Sequence, residues 1–135
     1  MSNQISEHLA KRLETENVAW LTTVRLDGMP LPTPIWFLWE DGEFLIYSQP
    51  GARKIANLSA NPKAALNLNS DVHGGSVAVF YGEARVDFNP TPLHQVPGYL
   101  GKYKDGIANL EMTPEEMAKE YSASIRIRPL RVREE

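Results

Sequence analysis

The chain contains no cysteine, which excludes disulfides, thiolate metal sites and cysteine nucleophiles together; a reducing compartment fits this composition. Histidine is scarce too. His8, His73 and His94 are scattered along the chain without metal-ligand spacing, so no metal site is assigned. No stretch approaches the roughly 18 consecutive apolar residues of a membrane-spanning helix. The opening MSNQISEHLAKRLETEN lacks the basic start, apolar run and small-residue cleavage site of a secretory leader, and the expected location is cytoplasmic. Basic charge is not in excess either. Fourteen Lys and Arg stand against seventeen Asp and Glu, a formal net charge of -3, which argues against a protein devoted to nucleic acid. The Gly-x-Ser-x-Gly elbow, the Walker loop and the Gly-x-Gly-x-x-Gly fingerprint are all missing. Glu115 and Glu116 look like paired carboxylates, but they stand at a helix start, where acidic groups are favoured for their own sake. No catalytic side chain is assigned; if the chain is an enzyme, a cofactor carries the bond making.

What is present fits one domain spanning residues 1–135, mostly β. Ile5, Leu9 and Leu13 recur four apart between charged residues and predict a short amphipathic helix over 4–15. VAWLTTVRL (18–26) is strand-like and ends at the turn pair Asp27-Gly28; a second turn pair, Asp41-Gly42, leads into EFLIYS. Between them Pro30, Pro32 and Pro34 lack ladder donors, so the first half of the strand 31–40 must sit at an edge or a break. Pro50 suits the first turn of a helix that Asn61-Pro62 ends. KAALNLN and SVAVFYGEARVDF read as two more strands. Residues 89–123 form a helical insertion with a cap at Thr113-Pro114-Glu115-Glu116, and SASIRIRPLRV closes the chain as a half-exposed strand. About six strands with hairpin connections predict an antiparallel sheet closed into a small barrel. A domain of this length buries only about two-thirds of its unfolded surface, so pairing with a second copy would add stability.

Arg53 and Lys54 stand side by side at the start of a short helix, where cations are mildly unfavourable. They are either solvated surface side chains or half of an anion site, because helix-start N–H groups with two cations suit a phosphate. The second alternative is strengthened by the preceding strand, whose prolines free backbone groups and whose Trp36 and Phe37 offer a flat apolar wall. A planar ring with a phosphate tail matches both.

The ordered set VAWLTTVRLDGMPLPTPIWFLWEDGEFLIYSQPGARKIANLSANPKAAL, followed by VAVFYGEARV, resembles the split β-barrel flavin and deazaflavin oxidoreductases related to pyridoxamine 5′-phosphate oxidase. The branch it looks most similar to binds the deazaflavin coenzyme F420. The resemblance implies a six-stranded antiparallel split barrel of the FMN-binding type and a homodimer with cofactor sites at the subunit interface. It implies that Arg53 and Lys54 hold the cofactor phosphate and that Thr33, Pro34, Ile35, Trp36 and Phe37 line the ring. Tyr47 and Ser48 would add phosphate contacts, while Asn67, Asn69 and Ser70 would serve the tail or the partner's site. The oxidase branch carries a basic strand motif where this chain has PTPIWF, and its C-terminal Trp and Arg pattern is not evident here. The expected function is hydride transfer from reduced F420 to a conjugated or electron-poor organic substrate. The alternatives are an FMN-dependent oxidase or reductase and a non-catalytic binder of a flavin, deazaflavin or haem-type molecule. A proton could come from solvent, Tyr99 or Tyr103. Loop shape around residues 89–112 would set the substrate range.

Overall fold

A computed structural model describes residues 4–135 of the chain; the first three positions of the expected domain span lie outside the described residues. The elements run α1 (Glu7–Thr15), β1 (Val18–Val24), β2 (Pro30–Trp36), β3 (Leu38–Glu40), β4 (Glu43–Ser48), α2 (Arg53–Ala60), β5 (Lys63–Leu68), β6 (Ala78–Asp87), a 3₁₀ turn (Leu93–Gln95), α3 (Pro97–Asn109), α4 (Pro114–Glu120) and β7 (Ala123–Glu134). All strand pairs are antiparallel, in the order β2-β1-β5-β6-β7-β4-β3.

The two edge strands of this sheet, β2 and β3, are consecutive pieces of chain separated only by Phe37. A sheet whose opposite edges are joined by a single residue has to be rolled up, so the strands form a barrel that splits at Phe37. This also explains why seven strands are seen where six were expected: one proline-rich strand is divided into two. The break is not at the prolines. Pro30, Pro32 and Pro34 stand opposite Val24, Thr22 and Trp20 of β1, and β2 ends the ladder, so their missing N–H groups leave the pairing intact.

Both hairpins form as expected. Gly28 takes φ +86°, and Asp41 and Gly42 take +54° and +74°, the left-handed conformations that tight turns require. A bulge between Tyr81 and Gly82 shifts the β6–β7 register. Gly82 is needed there, because a Cβ would lie 2.3 Å from the Arg128 carbonyl oxygen.

Alternation fills the interior. Ala19, Leu21, Ile35, Phe37, Phe44, Ile46, Leu66, Phe80, Ile125 and Ile127 point inward; Leu9 and Leu13 of α1 and Ile55 and Leu58 of α2 close the same core. Phe44 packs edge-on against Phe37 and Phe80 at 5.6 and 4.8 Å. The opposite face of β4, carrying Leu45 and Tyr47, is covered by Leu93, Tyr99, Tyr103, Ile107 and Met117 from the helical insertion. This outer cluster explains why EFLIYS is apolar on both sides. The α4 cap is complete: Thr113 Oγ accepts from the Glu116 N–H at 3.1 Å, and Glu116 accepts from the Thr113 N–H at 2.9 Å. No described helix is long and apolar enough to cross a membrane.

Candidate functional site

A cleft of about 330 Å³ opens where β2, the start of α2 and the α3–α4 insertion meet. Val18, Pro34, Ile35 and Trp36 form its strand wall, Tyr47 comes from β4, and Tyr99, Leu110, Met117 and Tyr121 close it from the insertion. Lys54 enters from α2.

Lys54 is half-buried and has no hydrogen bond or ion pair among the described residues. Burial holds its pKa below the ordinary lysine value. Helix α2 has no acidic residue in its first turn and no side-chain cap at Ala52, so the helix itself supplies nothing that neutralises this end. The helix begins at Arg53, not within its first turn at Pro50, which belongs to the preceding turn. Arg53 diverges from its neighbour. It is exposed and lines a separate depression of about 380 Å³ with Arg25, Leu26, Asp27, Ala56 and Asn57, because successive helix residues are set about 100° apart.

Three tyrosines shape the cleft differently. The Tyr47 hydroxyl donates to the Thr91 carbonyl at 2.6 Å, and burial pushes its pKa up to about 12. Tyr99 is buried, and burial, reinforced by neighbouring tyrosines, pushes its pKa upward. The hydroxyls of Tyr99 and Tyr121 have no hydrogen-bond partner among the described residues. Both are available to a ligand. Tyr103 does not line the cleft; its hydroxyl donates to the Asn17 carbonyl at 2.6 Å and accepts from the Phe37 N–H at 2.8 Å.

The structure therefore brings Pro34, Ile35, Trp36, Tyr47 and Lys54 together, out of the larger set expected from sequence. Asn67, Asn69 and Ser70 line a different depression, of about 480 Å³, with Trp20, Pro32 and Val79. There the Trp20 indole N–H donates to Asn69 Oδ1 at 3.1 Å. Phe37 and Ser48 lie inside the barrel with no exposed surface, and the Ser48 hydroxyl donates to the Gln49 carbonyl at 2.9 Å. Thr33 shares the inward side of β2 with Ile35. His73 is an exposed loop residue whose N–H donates to Asp71. Val18, Leu110, Met117 and Tyr121 were not anticipated. Met117 of α4 and Tyr121, the residue that caps its end, stand four apart, and the Tyr121 N–H donates to the Met117 carbonyl; the spacing is visible in the sequence, but the surface it faces is not.

Residues 5–134 match the family described as pyridoxamine 5′-phosphate oxidase. The chain belongs to that family. Pyridoxamine 5′-phosphate oxidase-like proteins are flavin-binding split barrels with oxidoreductase activity, and the barrel described above has their fold. The conserved protein Rv2991 of Mycobacterium tuberculosis is 25% identical over 97% of this chain and 84% of its own, with a TM-score of 0.74. A solved structure described as an F420 reductase is 20% identical over 96% of this chain and 98% of its own, with a TM-score of 0.70. HupZ from Group A Streptococcus is 20% identical over 97% of this chain and 94% of its own, with a TM-score of 0.68. A comparison with curated proteins finds no match.

Proposed function

We propose that this member of the pyridoxamine 5′-phosphate oxidase family is a reductase that uses reduced coenzyme F420 to deliver hydride to a conjugated or electron-poor organic substrate. One observation carries the reading: a half-buried lysine without a counter-charge projects from an uncapped helix start into a cleft walled by Trp36 and Pro34. An anion fits the lysine and the free helix N–H groups, and a planar heterocycle fits the apolar wall. The cleft volume lies at the lower end of the roughly 300–1,000 Å³ common for small-molecule sites, and it would take a planar ring.

Bound here, the reduced deazaflavin would supply hydride. The chain's own part is geometric. Lys54 neutralises the phosphate, and Pro34 and Trp36 press against the ring from the strand side. Leu110 and Met117 exclude water from the opposite side. Tyr99 or Tyr121 donates a hydrogen bond to an oxygen of the acceptor, and solvent or Tyr99 provides the proton. Tyr103 drops out as a donor because its hydroxyl is already engaged with Asn17 and Phe37. A second copy of the chain covers the outer face of β1, β5 and β6, bringing its Asn67, Asn69 and Ser70 to the neighbouring site.

FMN is the second reading, favoured by the family's flavin-binding character. F420 takes precedence because β2 presents prolines and Trp36 on its outer side and no basic residue. The deciding assay mixes the protein anaerobically with reduced F420 and a quinone or nitro acceptor and follows reoxidation of the coenzyme. Acceptor-dependent reoxidation is expected. Protein that purifies yellow with FMN and ignores F420 replaces the first reading with the second; tight F420 binding without turnover on any acceptor makes the chain a carrier.

A further inference from the structure

Phe37 is the one residue between β2 and β3, and neither β1 nor β4 pairs with it. Its backbone groups are satisfied from outside the barrel by two consecutive residues of α3. The Phe37 N–H donates to the Tyr103 hydroxyl at 2.8 Å, and the Phe37 carbonyl accepts from Lys102 Nζ at 2.9 Å. Lys102 Nζ also lies 3.7 Å from the centre of the Phe37 ring and donates to the Leu13 carbonyl, near the end of α1, at 3.3 Å. The Tyr103 ring lies flat on the Trp36 indole, with centroids 4.6 Å apart and planes 5° from parallel. One helical turn further on, Gly106 makes room for the stack: a Cβ there would come within 3.1 Å of Trp36 Cη2. A single helix thus fixes the break and the side chain next to it.

We propose that Lys102 and Tyr103 are positioning residues that set the orientation of Trp36 at the cleft wall by clasping the break at Phe37. Without the clasp, the end of β2 hinges at an unpaired residue on a sheet edge, and Trp36 loses its fixed angle to Pro34 and Lys54. The consequence for ligand binding rests on the functional reading above; the control of Trp36 does not. The clasp also makes α3, part of the insertion expected to shape substrate range, continuous with the wall on which the ring would rest.

The test uses the full chain labelled with 5-fluorotryptophan. Its fluorine NMR signals from Trp20, Trp36 and Trp39 are assigned by single Trp→Phe substitutions, and F420 and FMN affinities are measured in parallel. Tyr103→Phe keeps the stacked ring and removes the hydroxyl; Lys102→Met keeps the length and removes both donated bonds. Each is expected to shift or broaden the Trp36 signal in ligand-free protein, to leave the Trp20 signal in place as a sign of intact folding, and to weaken the preferred ligand about tenfold. Gly106→Ala is expected to move the same signal by crowding the indole and serves if the other two fail to fold. A Trp36 signal unmoved in the folded variants overturns the proposal. A moved signal with unchanged affinity overturns the positioning role at the ligand site. If wild-type protein binds neither cofactor, the functional reading fails, and the fluorine signal alone decides whether the clasp controls Trp36.

Discussion

Lys54 combines partial burial with no compensating charge, and this makes opposite predictions for stability and binding. Taking an unpaired cation out of water is costly, so Lys54→Met is expected to leave the Tm of ligand-free protein unchanged or raised, as followed by thermal unfolding. On the proposed reading the same substitution would remove a charge-assisted contact to a bound phosphate, worth about 1.5–3 kcal/mol, and is expected to weaken cofactor binding about 10- to 100-fold. Arg53→Ala, at an exposed position, should cost less. A decorative surface lysine would change neither quantity. Lys102 gives a pH signature. Burial pulls its pKa down to about 8, with Glu16 partly opposing the shift, while the unfolded chain titrates near the ordinary lysine value of about 10.4. Between these values the unfolded state holds more protons, so this group's contribution to stability is complete above about pH 10.4 and is lost as pH falls to about 8. The Tm of wild type relative to Lys102→Met should therefore rise from pH 8 to 9.5. A parallel pair of curves contradicts the assignment.

At the scale of elements, the residues that turn the chain were legible and those that join distant segments were not. Asp27-Gly28 and Asp41-Gly42 announced their hairpins because few residues tolerate positive φ. The capping box at Thr113 was readable for a similarly local reason. The break at Phe37 was not, since the groups that hold it come from Lys102 and Tyr103, far along the chain. The prolines pointed to an edge or a break over the first half of the strand, and β2 is that edge; the break one residue past it left no such mark. The family resemblance assigned Tyr47 and Ser48 together to the phosphate, yet strand alternation sends one towards the cleft and the other into the barrel. The same geometry on a helix separated Arg53 from Lys54. Gly82 tests the bulge directly. With a backbone oxygen 2.3 Å from the position of a new Cβ, Gly82→Ala is expected to destabilise by about 3 kcal/mol, lowering Tm by roughly 10 °C. A loss under about 0.5 kcal/mol, within the range of surface substitutions, contradicts the bulge geometry.

For the whole molecule, the outer face of β1, β5 and β6, with the adjoining part of β7, leaves large apolar side chains exposed. Trp20 is 37% and Leu130 47% exposed on this side, and the depression holding Asn67, Asn69 and Ser70 lies beside them. We expect a homodimer through this face. Light scattering coupled to size exclusion should give twice the chain mass of 15.2 kDa, and Ala65→Arg, placed on the outer side of β5 opposite Thr22 and Tyr81, should return the chain mass and weaken cofactor binding as well. Wild type at the single-chain mass contradicts the shared site. Chain length alone suggested pairing; the face expected to carry it takes shape only when β1, β5 and β6 are brought side by side.

The most direct test of the site is calorimetric titration of oxidised F420 and of FMN into wild-type protein and Lys54→Met. The account predicts saturable binding of F420, one per chain, tighter than FMN and about 10- to 100-fold weaker in the variant. Absence of binding by either cofactor, or equal affinity in wild type and Lys54→Met, contradicts it.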